Sequence, residues 1–95
     1  MKTIELCPEG EAISDFQAEE RARKFLSSEE TAMKVSSEIF IYVLRVLIRE
    51  KLYPHDQVKF LFKGTEMSIN EDGRLDFWAE GFCSTWDKCL NRLLM

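Results

Sequence analysis

The chain has 95 residues, 45% hydrophobic and 32% charged, with four Gly and two Pro. That composition suits one globular domain burying about 60–65% of its unfolded surface, and it excludes a two-domain enzyme and a disordered chain. Thirteen Lys plus Arg against seventeen Asp plus Glu give a formal net charge of -4, the wrong sign for a protein that binds nucleic acid directly by neutralising phosphates.

Ile4 and Leu6 alternate with Thr3 and Glu5, which predicts a short strand at 2–6, ended by Pro8 and Gly10. Residues 11–26 contain no Gly or Pro, with acids early and Arg21, Arg23 and Lys24 late, as the dipole of a helix prefers. The apolar residues of that helix (Ala12, Ile13, Phe16, Ala22, Phe25, Leu26) form a diffuse stripe suited to a core edge. Ser27-Ser28-Glu29-Glu30 has the form of a capping box that could open a second helix. Over 31–37 the alternation of Met33 and Val35 suits a strand, yet nothing breaks helical continuity, and both readings stay open.

Over 37–52 the polar residues Glu38, Tyr42, Arg45 and Arg49 recur at helical spacing, which predicts one narrow wet stripe on an otherwise apolar central helix. An arc that includes Ile41, Leu44 and Ile48 is wider than one face of a small sheet covers, and the excess predicts a partner surface. Tyr53-Pro54-His55-Asp56 then stops the helix. Val58, Phe60 and Phe62 alternate with Lys59, Leu61 and Lys63, and Met67 and Ile69 alternate with Glu66, Ser68 and Asn70, which predicts a hairpin over about 57–70. With Gly64-Thr65 as a type II′ loop, Lys63 faces Glu66, Phe62 faces Met67 and Phe60 faces Ile69. Asn70-Glu71-Asp72-Gly73 reads as a turn, and an aromatic segment with Trp78 and Phe82 follows it. From Ser84, Trp86, Cys89, Leu90, Leu93 and Leu94 recur at helical spacing.

The expected fold is α+β in a single domain, 1–95: a small antiparallel sheet, with the strand at 2–6 available to join the hairpin, packed against two to four helices. The start of the chain has no apolar core of ~7–15 residues, as a signal peptide would. Its longest apolar run, 39–44, ends at Arg45 and resumes only to Ile48, short of the ~20 residues of a membrane span. Cys7, Cys83 and Cys89 are odd in number and lack CxxC spacing, which suits reduced, structural thiols. A cytoplasmic protein without a membrane partner is expected.

The chemistry-bearing residues do not assemble into an active site. His55, the lone histidine, sits in a Pro-turn and reads as a solvated loop residue. The gap between Cys83 and Cys89 is not a zinc-knuckle spacing, and Asp72, Gly73 and Asp76 lack the ligand ladder of a calcium loop. Isolated glycines make no phosphate cradle. Glu19-Glu20 and Glu29-Glu30 are adjacent residues on solvated faces rather than carboxylates across a cleft, and Trp78, Phe82 and Trp86 lack the interleaved cations of a base-stacking platform. No catalytic residue, metal or cofactor is expected.

Residues 37–95 carry a string in a fixed order: Ser37-Glu38, an apolar helix, Tyr53-Pro54-His55-Asp56-Gln57-Val58, Asn70-Glu71-Asp72-Gly73-Arg74-Leu75, and Trp78-Ala79-Glu80-Gly81-Phe82. This string resembles the carboxy-terminal end of bacterial AAA/ABC-type ATPases of the phage-defence kind. In that family the pattern looks like Thr-His-Ser-Glu, a helix, x-Pro-Asp-Asp-Val and a strand, then Asp-Gly and Trp-Pro-x-Gly-Phe-Phe-Asp. Ser36 stands where the family has its switch histidine and Val35 where it has the preceding threonine. Ala79 replaces the proline, Cys83-Ser84 replaces Phe-Asp, and residues 1–34 hold no Walker A or Walker B element. The resemblance therefore implies ancestry or partnership rather than ATP hydrolysis.

The expected function is that of a non-catalytic accessory or regulatory module that binds a protein partner, such as an ATPase, or itself. Its candidate interaction residues are Ile41, Leu44, Ile48, Trp78, Phe82, Trp86, Leu90 and Leu94. The alternative is a small acidic, phage-type inhibitor whose carboxylates (Glu5, Glu9, Glu11, Asp15, Glu19, Glu20) occupy a partner's nucleic-acid groove.

Overall fold

The computed structural model describes residues 1–77 and 79–82. Its first strand, β1 (Lys2–Glu11), buries Lys2, Ile4 and Leu6 and leaves Thr3, Glu5 and Cys7 half-buried, the period-2 alternation of a sheet with one buried face. β1 runs past the predicted end at residue 6. Its register against β2 (Ala32–Val35) jumps from Leu6↔Val35 to Glu11↔Val35, so the chain bulges and then returns. The Glu11 carbonyl there accepts the Ser36 N–H at 3.0 Å.

This pairing delays α1 (Asp15–Ser27), which begins four residues later than its composition predicts because the backbone of Glu11 is already engaged with β2. α1 buries Ala18, Ala22, Phe25 and Leu26, whereas Phe16 stands 87% exposed. The Ser27-to-Glu30 segment closes α1 instead of opening a helix. Ser28 is the C-cap, its hydroxyl donates to the Phe25 carbonyl at 3.0 Å, and the Glu30 N–H donates to that hydroxyl at 3.2 Å. The open stretch after it resolves as β2, with Met33 and Val35 buried and Ala32 and Lys34 exposed.

α2 (Glu38–Arg49) ends before Tyr53-Pro54 through a Schellman motif. The Leu52 N–H reaches the Leu47 carbonyl at 3.1 Å, the Lys51 N–H reaches Ile48 at 2.9 Å, and Lys51 sits at φ 64. A 3-10 turn, His55–Gln57, leads into β3 (Val58–Phe62) and β4 (Thr65–Ser68). The β3–β4 loop is Lys63-Gly64, at φ 49 and 83, which is the type I′ pattern and not the predicted II′ loop at Gly64-Thr65. The register becomes Phe62↔Thr65 and Phe60↔Met67, and Glu66 pairs with Lys59 at 3.3 Å rather than with Lys63. A slip of two residues keeps every side chain on its predicted face. Phe60, Met67 and Ile69 are accordingly buried, and Phe62 is half-buried against them.

The sheet is mixed, in the order β2-β1-β3-β4. β1 is parallel to both of its neighbours, and only the β3–β4 hairpin is antiparallel. The expectation of an antiparallel sheet is corrected here: a helix separates β1 from β2 and another separates β2 from β3, and such crossovers return the chain in the same direction. Met33, Ile4, Phe60 and Met67 form one buried row across all four strands. Both helices lie against this face and pack on each other.

Candidate interaction surface

Ile41, Leu44 and Ile48 are core residues, which corrects their placement on a partner surface. With Phe40 and Leu47 they occupy about 120° of the α2 circumference, an arc that meets α1 and shares one core with the inner face of the sheet. Phe82 is also fully buried, its ring 5.5 Å from that of Phe62 and 6.1 Å from that of Phe60. Trp78, Trp86, Leu90 and Leu94 lie outside the described residues, as do Cys83 and Cys89. The excess apolar arc of α2 exists on a different flank. Ile39 and Val43 are half-buried and Val46 is 52% exposed.

The polar stripe of α2 is covered rather than wet at its centre. The Arg45 Nε donates to the Gly73 carbonyl at 2.8 Å, and the guanidinium lies 5.3 Å from the centre of the Tyr42 ring. Residues 70–74 are held there by Asn70, whose Oδ1 accepts the N–H groups of Asp72 (2.9 Å) and Arg74 (3.0 Å). Asp76 caps the edge of β4, its Oδ1 accepting the Ser68 N–H at 3.0 Å while its own N–H donates to the Ser68 carbonyl at 2.9 Å.

The second face of the sheet carries no described element. Two cross-strand rows lie on it: Lys34–Glu5–Leu61–Glu66 and Ala32–Thr3–Lys59–Ser68. Predominantly parallel sheets are ordinarily covered on both faces, so a three-strand parallel core with no element over one face among the described residues is unusual.

The charged residues have structural work. Lys2, 6% exposed, sends its Nζ to the carbonyls of Ser28 (3.0 Å) and Glu30, over the Phe25 ring at 4.8 Å. It thereby ties the start of β1 to the end of α1. The Arg21 Nε meets Glu11 Oε2 at 2.9 Å, and Nη2 meets Glu30 Oε2 at 3.5 Å. The Glu11 hydrogen bond raises the Arg21 pKa against partial burial, and the charges of Glu11 and Glu30 add to that. Of the six acids in the predicted inhibitory cluster, Glu11 is thus engaged by Arg21 and Glu19 by Arg23 at 3.7 Å. His55 is half-buried, correcting its reading as a solvated residue. Its Nδ1 lies 3.2 Å from the Ile69 carbonyl oxygen, a contact that is a hydrogen bond in the tautomer protonated at Nδ1. Among the described residues no three His, Cys, Asp or Glu side chains gather as metal ligands, and no helix is long and apolar enough to cross a membrane.

No family model, curated protein or solved structure matches this chain.

Proposed function

We propose that the chain is a non-catalytic accessory or regulatory module, related to the carboxy-terminal end of a defence-type ATPase, and that it works by protein contact. The observation that carries this reading is the outer face of the sheet, where the half-buried Thr3, Glu5, Lys59 and Leu61 stand on the two central strands with no described element over them. A parallel sheet of this kind gains by being covered, and Leu61 between Glu5 and Glu66 supplies an apolar centre with a charged surround, the pattern of a protein–protein contact. The relation to the ATPase end is supported by the resembling string, whose first four pieces follow one another through α2, the 3-10 turn, the hairpin and the return at 70–75.

The test is co-purification of the tagged chain from its native host, beside a Leu61→Lys variant. An ATPase recovered with the wild type and lost with the variant is the expected result. Recovery of a nucleic-acid-binding partner through the amino-terminal acids would favour the inhibitor instead, and a chain that captures nothing would overturn the contact reading.

A further inference from the structure

Because β1, β2 and β3 are parallel, their crossover helices run in a common direction, and α1 and α2 finish at the same end of the sheet. Two shallow hollows open there. One, of about 330 Å³, has the apolar side chains of Leu26, Leu47 and Leu52 beside Arg23 and Lys24. The second, of about 270 Å³, places Leu52 and Tyr53 beside Lys51, His55 and Glu71, with the buried core residue Ile48 beneath them. Leu52 belongs to both, and at 50% exposure it forms the divide between them.

The residues lining the two hollows are opposite in net charge to the chain. The full sequence carries a net charge of -4, yet among the described residues lining the two hollows Arg23, Lys24 and Lys51 are opposed by one carboxylate, Glu71. Arg23 also meets Glu19 at 3.7 Å, so Lys24 and Lys51 are the cations that a ligand in the hollows would meet. The dipoles of the two helices favour these cations at their C-termini, so the basic rim follows from the topology that brings both ends together.

We infer that the double hollow binds an acidic amphipathic peptide, with leucine-like side chains seated on either side of Leu52 and Asp or Glu side chains on Lys24 and Lys51. The apolar surface supplies the affinity and the two cations fix partner choice and orientation. A concave site on an acidic chain suits a peptide better than an anionic bilayer, which would need a protruding basic surface. This adds a second contact surface and does not depend on the outer face of the sheet.

The experiment titrates the whole chain into a fluorescein-labelled peptide of about 12 residues, with leucines at i and i+4 flanked by glutamates, and reads anisotropy. Saturable binding is expected, weakened about tenfold or more in Lys24→Glu/Lys51→Glu and by a rise from about 50 to about 500 mM salt. Lys51→Gly should weaken binding while raising the thermal midpoint, a combination that a merely damaged fold cannot produce. Leu61→Lys, on the sheet face, should leave peptide binding unchanged, so failure here and failure of the proposed function are separable. Absence of saturable binding, equal affinity for a peptide with lysine in place of glutamate, or equal affinity of the double charge reversal would overturn the proposal. So would capture of phosphatidylserine vesicles that the peptide does not displace.

Discussion

Gly10 lies so close to Val35 that a Cβ on residue 10 would stand 2.4 Å from the Val35 carbonyl carbon. The glycine is required by this approach: the returning chain touches backbone, which cannot step aside as a flexible side chain would. Gly10→Ala should therefore destabilise the fold by about 1–3 kcal/mol, through forced separation of β1 from β2. Urea unfolding of the variant checks this. An unchanged midpoint would show that the bulge opens freely.

Lys51 behaves in the opposite way. It occupies the left-handed C′ position of the Schellman motif that ends α2, with no glycine there to relieve the steric clash. Lys51→Gly should stabilise the protein by about 0.5–1 kcal/mol, seen as a higher urea midpoint with an unchanged slope.

The hairpin register is open to a similar test. With Lys63 and Gly64 at the two loop positions and both at positive φ, Asn suits residue 63 better than Lys. Lys63→Asn should add about 0.5 kcal/mol or more of stability. In the register with Gly64-Thr65 as the loop, the same change would give no gain, so the midpoint of denaturation distinguishes the two.

Removing the Lys2 ammonium should be costly out of proportion to the small area involved. Lys2→Met keeps much of the apolar stem and leaves the Ser28 and Glu30 carbonyls without this donor. A loss of about 1–3 kcal/mol is expected, together with faster amide exchange over residues 28–35 as β2 loses its tie to the end of α1. Exchange confined to residue 2 and its immediate neighbours would contradict that role.

The position of Leu44 in the core predicts that Leu44→Ala loses about 2–5 kcal/mol of stability. Leu61→Ala, on the opposite face of the sheet, should lose less than about 1 kcal/mol. Thermal melts of the two variants compare the faces directly. Similar losses would mean that the outer face is as fully packed as the inner one.

Local chemistry made part of this structure legible from the sequence. The alternation of Ile4 with Leu6 and of Phe60 with Phe62 marked an inner face, Asn70 and Gly73 marked a turn, and the apolar spacing of 38–49 marked a helix. These features depend on a side chain's relation to its own backbone and nearest neighbours, and a two-residue slip in the hairpin leaves them intact. The direction of β1, the extension of that strand to Glu11 and the burial of Ile41, Leu44 and Ile48 depend on contacts with distant segments. Periodicity shows that a helix has a broad apolar arc but not how many elements will meet it. Here the flank carrying Ile41 and Leu44 meets α1 and shares one core with the sheet, while the loop at Gly73 settles on the polar stripe. The basic hollow at the helix ends was equally hidden, because Lys24 and Lys51 are far apart in the chain and become neighbours of one site only when two crossovers bring parallel helices to a common end.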